Sequence, residues 1–181
     1  MSILNPPPPR PVAFEHAMVF MDGSNIFPDV ADKELVVPSF HKIAAAIIHP
    51  RMLTRAYIYT TERKADDARK VHGASCFDGC RLVYGHVSTR ANGSETEKGV
   101  DTLLASDLIY HAAMKNIKYA VVVSNDTDFV WPLKRVEDFG CGTGVLSLIK
   151  KGNDVLQNAC DVYTFWDVDQ LIQNGLAERA Q

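Results

Sequence analysis

Two short stretches, Phe20–Asn25 (FMDGSN) and Val121–Asp128 (VVVSNDTD), decide the fold. Each begins as an apolar run typical of a buried strand and then breaks into turn-forming Asp, Asn, Gly or Ser residues. Aspartates therefore lie where strands end: Asp22 in the first stretch, and Asp126 and Asp128 in the second. Loops at the carboxyl ends of parallel strands meet at one edge of a sheet, so we expect these three carboxylates to converge.

Strands and helices are predicted to alternate along the rest of the chain. Short apolar runs predict strands at Met18–Met21, Ala56–Tyr59, Arg81–Tyr84, Tyr119–Val123, Val145–Ile149 and Val162–Phe165. Longer stretches with helical spacing predict helices at Ser39–Ile48, Glu62–Ser75, Val100–Lys115, Asp128–Phe139, Asp154–Cys160 and Asp167–Gln173. This alternation predicts an α/β domain whose mainly parallel sheet is covered by helices on both faces.

A third motif, Glu97–Asp101 (EKGVD), precedes an amphipathic helix and places Asp101 in its first turn. That helix leads directly into the strand that ends near Asp126, so Asp101 is a candidate fourth carboxylate. Asp107 follows six residues later, about 120° around an ideal helix, and is expected to be a solvated surface residue. A lone aspartate after a strand most often caps a helix, but three such motifs at corresponding positions indicate more than capping.

Carboxylates that converge need a counterion. At a separation of about 4 Å, two of them repel by about 4 kcal/mol at an effective dielectric near 20, unless one is protonated. The three motifs offer oxygen donors without His or Cys, which favours Mg²⁺ or Mn²⁺ over zinc. Such ions suit phosphodiester hydrolysis, because they activate water and stabilise a leaving oxygen. A zinc site at Cys76 and Cys80 would need two further ligands at finger spacing, and none follows.

Composition bounds the class of protein. The 181 residues are 46% hydrophobic, which suits one core. The net charge of −3 argues against coating nucleic acid through bulk charge, although an enzyme could still act on it. No membrane span or secretory signal is evident, so we expect a soluble, cytoplasmic protein with reduced thiols. We predict a proline-rich arm at residues 1–16, a domain at 17–175 and a tail at 176–181.

The three motifs, in this order and spacing, resemble the NYN domain, a branch of the PIN-like nuclease superfamily. The resemblance spans roughly Ala17 to Phe165. It implies a three-layer α/β/α PIN-like fold and metal-dependent RNA cleavage. It also implies catalytic and metal-binding roles for a set of acids, with a polar residue after the first of them: Asp22, Asp101, Asp126 and Asp128, with Asn25. Asn125 and Thr127 depart from the small residues common in the family, and neither change removes a carboxylate. Asp161 is expected to be structural.

The leading hypothesis is a hydrolytic ribonuclease with Mg²⁺ or Mn²⁺ held by Asp22, Asp126 and Asp128. Asp101 would help to hold the ion or orient the attacking water, and Asn25 would position a ligand or phosphate. The segment 85–98 is polar and is predicted to be a loop that could close over RNA. Four basic residues are candidate phosphate ligands for the RNA substrate: Arg90, Lys98, Lys150 and Lys151.

Two other classes of protein remain open. One is a non-catalytic RNA-binding or adaptor domain with the same fold, and a homodimer is compatible with either reading. The other is a phosphatase or phosphoacceptor domain, which fits less well. Such phosphatases usually carry two aspartates two residues apart after the first strand, whereas Gly23 and Ser24 follow Asp22 here.

Overall fold

The computed structural model describes residues 15–89 and 95–180. Ten strands are assigned in this part of the chain: β1 (His16–Asp22), β2 (Leu35–Val36), β3 (Met52–Thr60), β4 (Cys80–Tyr84), β5 (His86–Thr89), β6 (Glu95–Lys98), β7 (Tyr119–Val123), β8 (Gly142–Leu148), β9 (Val162–Trp166) and β10 (Glu178–Arg179). The helices are α1 (Gly23–Asp32), α2 (Phe40–Ile48), α3 (Glu62–His72), α4 (Val100–Ala113), α5 (Val130–Asp138), α6 (Asp154–Gln157) and α7 (Val168–Gln173).

The main sheet has six parallel strands in the order β4-β3-β1-β7-β8-β9. From β1 the chain moves outward through β3 to β4, then returns to the other side of β1 and continues through β7 and β8 to β9. The strand order therefore reverses between β1 and β7. Open α/β sheets bind ligands beyond the carboxyl ends of the strands at this kind of reversal.

Two hydrophobic clusters cover the two faces of the sheet. Alternate residues of β1 point to opposite faces, as the two-residue period of a strand requires. Val19 and Met21 pack with residues of α1, α2, α3 and α7, whereas Met18 and Phe20 pack with residues of α4, α5 and α6. This arrangement is the expected α/β/α sandwich, and the six predicted strands all lie in its central sheet.

Helix α1 is absent from the sequence prediction, which placed the first helix at Ser39–Ile48. It contains Pro28 and begins at Gly23, and both residue types disfavour helices. Burial compensates, because Ile26, Phe27 and Val30 pack against the sheet. The predicted helix is present as α2, with the Ser39 side chain accepting a hydrogen bond from the backbone N–H of Lys42.

The prediction that residues 85–98 form a loop is wrong. Strands β5 and β6 pair as an antiparallel hairpin, with His86 opposite Lys98 and Thr89 opposite Glu95. The sequence conceals this hairpin because its strands, HVST and ETEK, are mostly polar and lack the apolar alternation of a half-buried strand. Arg90, a candidate phosphate ligand, lies outside the described residues.

The chain continues to pack beyond Gly175, where the sequence predicted a tail. Leu176 and Ala177 are buried, and β10 pairs antiparallel with β2. The backbone N–H of Ala180 also donates to the carbonyl of Glu34 at 2.8 Å. These C-terminal residues are therefore part of the folded layer that contains α1 and α7.

Candidate active site

Asp22 lies at the carboxyl end of β1 and is only 2% exposed. It is the N-cap of α1: its Oδ1 accepts a hydrogen bond from the backbone N–H of Asn25 at 3.2 Å. Its Oδ2 accepts a hydrogen bond from the hydroxyl of Ser124 at 2.9 Å. The carboxylate therefore joins the end of β1 to the end of β7 across the strand-order reversal.

A second hydrogen bond joins the same two loops. The side-chain oxygen of Asn25 accepts the backbone N–H of Asn125 at 3.0 Å, although the residues are 100 positions apart. The Ser124 hydroxyl also accepts the backbone N–H of Asp126 at 3.1 Å. Asn25 and Ser124 thus act as a clamp that sets the position of the Asp126 loop relative to Asp22.

Asp126 and Asp128 lie in the turn that follows β7. Asp126 is the N-cap of a short 3₁₀ helix, Thr127–Phe129, and its Oδ1 accepts the backbone N–H of Asp128 at 2.9 Å. The Asp128 side chain is exposed. Both aspartates therefore follow the strand directly, as the sequence predicts, and one of them also has the capping role that a lone aspartate would have.

Asp101 and Asp128 line the same open cavity, which has a volume of about 370 Å³. The cavity is lined by the start of α4 and by the turn before α5: Asp101, Thr102, Ala105, Thr127, Asp128, Phe129 and Trp131. Helix α4 begins after Gly99, whose φ of 84° is strained for any residue with a side chain. This glycine lets the chain turn from β6 into α4 and places Asp101 in the first turn.

The electrostatics of Asp22 show that three of the acids share one region. Burial raises the pKa of Asp22 to about 6, and the negative charges of Asp101 and Asp126 push it in the same direction. The hydrogen bonds from Ser124 and from the backbone N–H of Asn25 partly oppose this rise in the pKa. Carboxylates that repel one another at a strand-order reversal are the arrangement that a divalent cation would neutralise.

The donor chemistry fits a hydrated Mg²⁺ or Mn²⁺. Carboxylates and amide oxygens surround the region, and the side-chain oxygen of Asn125 is buried without a hydrogen-bond partner among the described residues. Within residues 15–89 and 95–180, no three acidic, His or Cys side chains meet at direct ligand distance. Mg²⁺ typically binds through one or two carboxylates and keeps several waters, so it does not require such a closed group of ligands.

The remaining candidate phosphate ligands, Lys98, Lys150 and Lys151, lie at different places in the fold. The ammonium group of Lys150 forms an ion pair with Asp29 and lies 3.9 Å from a carboxylate oxygen of Asp32, both in α1. Lys151 is exposed, and Lys98 is the last residue of β6. Any phosphate that approaches Lys150 would have to compete with the carboxylate of Asp29.

Two other aspartates, Asp107 and Asp161, form hydrogen bonds with residues outside the three motifs. Asp107 was expected to be solvated, but it accepts a hydrogen bond from the hydroxyl of the buried Tyr59 at 2.9 Å, so that expectation is wrong. Asp161 accepts the backbone N–H of Thr143 at 2.8 Å, where β8 and β9 begin. This hydrogen bond links the starts of two neighbouring strands, which is a structural role of the kind expected for Asp161.

Sequence reasoning assigned no role to Ser124, Asn125 or Trp131. The first two lie inside the quoted strand-end motif, but their hydrogen bonds depend on a loop 100 positions away. Trp131 is three residues after Asp128, one helical turn from an acid, and this spacing is the one signal that could have drawn attention to it.

Comparison with known families tests the resemblance. The sequence matches the family model of the NYN domain over residues 16–170. The chain belongs to the NYN domain family. This family is part of the PIN-like superfamily, whose members have a nuclease-like fold and usually use divalent metals. No curated protein matches the sequence of this NYN domain significantly.

A solved structure supports the fold. The NYN domain is similar to the crystal structure of a protein of unknown function from Vibrio parahaemolyticus, with a TM-score of 0.67 and 15% sequence identity. The likeness covers 88% of this chain and 98% of the other. None of the helices in the described residues has the length and apolar character to span a bilayer.

Proposed function

We propose that this NYN domain is a metal-dependent ribonuclease that hydrolyses RNA phosphodiester bonds at Asp22, Asp101, Asp126 and Asp128. The observation that carries the proposal is the meeting of Asp22 and the Asp126 loop at the strand-order reversal, where the Ser124 hydroxyl donates to Asp22 and accepts the backbone N–H of Asp126. Burial, followed by the charges of Asp101 and Asp126, raises the pKa of Asp22 there. A buried acid whose pKa is shifted by neighbouring acids is typical of functional sites. Membership of the NYN family supports nuclease activity as the class of reaction.

Each residue has a proposed role. Asp22, Asp126 and Asp128 hold Mg²⁺ or Mn²⁺, and Asp101, which lines the same cavity as Asp128, helps to hold the ion or orients the attacking water. When bound, the cation supplies an acidified water and stabilises negative charge on the phosphate. Asn25 acts through the backbone of Asn125, because its side-chain oxygen accepts that N–H and holds the two loops together.

Basic residues around the carboxyl edge of the sheet are proposed to bind RNA phosphates. Lys151 follows β8 and is exposed, whereas Lys150 would first have to leave Asp29. Lys98 and Arg90 belong to the segment between β5 and α4 and keep the same proposed role. The proposed compartment is the cytoplasm, and the free thiol state of the four cysteines is compatible with it.

The test is cleavage of labelled single-stranded RNA by the purified protein in Mn²⁺ or in EDTA. We expect cleavage in Mn²⁺ that EDTA abolishes, and a loss of about tenfold or more in Asp126→Asn, since a metal-site carboxylate becomes an amide. Asp138→Asn is the matched control, because Asp138 is an exposed acid at the other end of α5. Binding of RNA without cleavage in any metal would instead support the adaptor function.

A further inference from the structure

Trp131 is the most exposed large hydrophobic side chain among the described residues, at 70%. It lies in the first turn of α5, three residues after Asp128, and lines the same cavity as Asp101 and Asp128. Leaving an indole ring in water forgoes a large gain from burial, so an exposed tryptophan beside a polar cavity indicates a surface that binds something flat and apolar.

Lys134 supports the ring from its own helix. Its ammonium nitrogen lies 5.2 Å from the centroid of the Trp131 ring, one helical turn further along α5. This contact is a cation–π interaction, which holds the ring in place while most of the ring stays exposed. It also puts a positive charge beside the aromatic surface, in a region where Asp101 and Asp128 are negative.

We propose that Trp131 stacks on a nucleobase of single-stranded RNA, next to the phosphodiester bond that the acidic cluster hydrolyses, and that Lys134 binds an adjoining phosphate. The inference rests on the proposed ribonuclease function and specifies its substrate. A base is the ligand that combines a flat apolar face with polar edges and a neighbouring phosphate.

The surroundings of the ring favour a base over an apolar protein anchor. Polar side chains of Asp101, Thr102, Thr127 and Asp128 line the cavity beside Trp131, whereas the centre of a protein interface is depleted of charge. The exposed Tyr110 is five residues beyond Ala105 on α4, about 7 Å further along the helix axis than the last residue of α4 that lines the cavity. Phe129, the other aromatic residue that lines the cavity, is only 1% exposed, so Trp131 is the aromatic side chain of this cavity that solvent reaches.

The geometry also selects unpaired RNA. Bases inside a duplex are stacked on their neighbours, so a base that contacts Trp131 must first leave the stack. Stacking on an aromatic side chain tolerates every base, because each has a π-face. We therefore expect a preference for single strands with little preference for sequence at the stacked position.

The test is a double-mutant cycle on binding, measured in EDTA so that no cleavage occurs. A fluorescent single-stranded RNA is compared with a set of RNAs of the same sequence, each of which lacks the base at one position. The intact RNA and each abasic RNA are titrated with wild-type protein and with Trp131→Ala. With the intact RNA, Trp131→Ala should weaken binding by about fivefold or more. For wild-type protein, one abasic position should produce a similar loss, and Trp131→Ala should show no further loss at that position.

Three controls make the result specific. Phe139→Ala removes an aromatic side chain that is 48% exposed at the other end of α5 and should leave RNA binding unchanged. Trp131→Phe keeps a smaller stacking surface and should retain part of the affinity. Circular dichroism shows whether each variant is folded, and fully paired RNA should bind wild type and Trp131→Ala equally.

The outcomes separate this inference from the proposed function. Equal binding by wild type and Trp131→Ala, or losses that simply add in the cycle, would overturn the stacking role while leaving the nuclease proposal intact. Coupled losses without any cleavage in Mn²⁺ would keep the stacking role and overturn the nuclease. A wild-type protein that neither binds RNA in EDTA nor cleaves it in Mn²⁺ would overturn both.

Discussion

Asp22 combines a structural role with the proposed chemical one. Its carboxylate caps α1 and accepts the Ser124 hydroxyl, yet its burial raises the pKa to about 6. The group therefore holds its proton more tightly in the folded protein than in the unfolded chain. It contributes most to stability below about pH 4, and that contribution is lost as the pH rises through about 6.

We expect Asp22→Asn to remove this pH dependence when unfolding is measured in EDTA. A shift from 3.8 to about 6 corresponds to about 3 kcal/mol at 1.36 kcal/mol per pKa unit. The free energy of unfolding of the variant, minus that of wild type, should therefore rise by about 2.4 kcal/mol between pH 4 and pH 7, with most of the remainder below pH 4. Urea titrations at several pH values provide the measurement.

The matched control for this experiment is Asp138→Asn, which removes an exposed carboxylate. The difference in free energy of unfolding between Asp138→Asn and wild type should change much less with pH. An exposed carboxylate interacts only weakly with the rest of the protein, so its removal has little effect on stability. A flat curve for Asp22→Asn would mean that Asp22 is not destabilised by burial and by its acidic neighbours.

At this scale the sequence could predict which acids lie at strand ends or at a helix start, but not what holds them in position. The motifs identified Asp22, Asp101, Asp126 and Asp128 because turn residues follow strands or precede a helix. The clamp between Asn25 and the backbone of Asn125 depends on two loops meeting in space, which no local pattern encodes. The same applies to the hydrogen bond from Tyr59 to Asp107.

The start of α1 leaves no room for a side chain at Gly23. A Cβ there would lie 2.9 Å from the carbonyl oxygen of Tyr59 in β3 and 2.9 Å from the ring of Phe27. The carbonyl belongs to a strand in the centre of the sheet and cannot move aside. Gly23 therefore allows α1 to begin directly after Asp22.

We expect Gly23→Ala to destabilise the protein by about 1–3 kcal/mol, the usual range for overpacking. The displaced helix should also weaken the hydrogen bond from the backbone N–H of Asn25 to the capping carboxylate of Asp22, so any nuclease activity should fall together with stability. Thermal unfolding and RNA cleavage, measured on the same preparation, provide the check. An unchanged melting temperature would show that α1 can shift without loss of packing.

Elements with a strong apolar pattern could be predicted from the sequence. Elements that depend on pairing with another segment of the chain could not. All six strands of the main sheet were predicted, because each contains a continuous run of apolar, β-branched or aromatic residues, although the edge strands β4 and β9 are only partly buried. The hairpin of β5 and β6 and the two-residue strands β2 and β10 are held by backbone pairing to a partner and carry little pattern of their own. Helix α1 was concealed by Gly23 and Pro28.

The C-terminal residues after Gly175 pack against the rest of the folded chain. Leu176 and Ala177 are buried in the cluster that contains α1, α2 and α7, and β10 pairs with β2. A chain that ends at Gly175 should lose about 2–4 kcal/mol of stability, of which the burial of Leu176 supplies about 2.

Thermal unfolding of the truncated chain tests this prediction. Deletion of Gln181 alone is the control, and it should leave the melting temperature unchanged because it spares β10. Leu176→Ala should reproduce part of the loss at full length. If the chain that ends at Gly175 is as stable as the intact protein, the C-terminal residues contribute no net stabilisation.

The order of the strands was the part of the molecule least accessible from sequence. Alternating strands and helices indicate a parallel sheet but do not say which strands are neighbours. The structure places the first strand, β1, in the interior of the sheet, between β3 and β7. That position explains why Asp22 meets residues of the turn after β7 and none from the edge strands.

The placement of β1 has a consequence for protein synthesis. Strands β1, β3 and β4 leave the ribosome before β7, β8 and β9. They are neighbours in the sheet and can assemble while the edge of β1 that later pairs with β7 is still unpaired. Such an emerging half contains Asp22 but none of Asp101, Asp126 and Asp128. An interrupted translation product of this kind would therefore lack three of the four acids of the proposed metal site, which come together with Asp22 only once β7 pairs with β1.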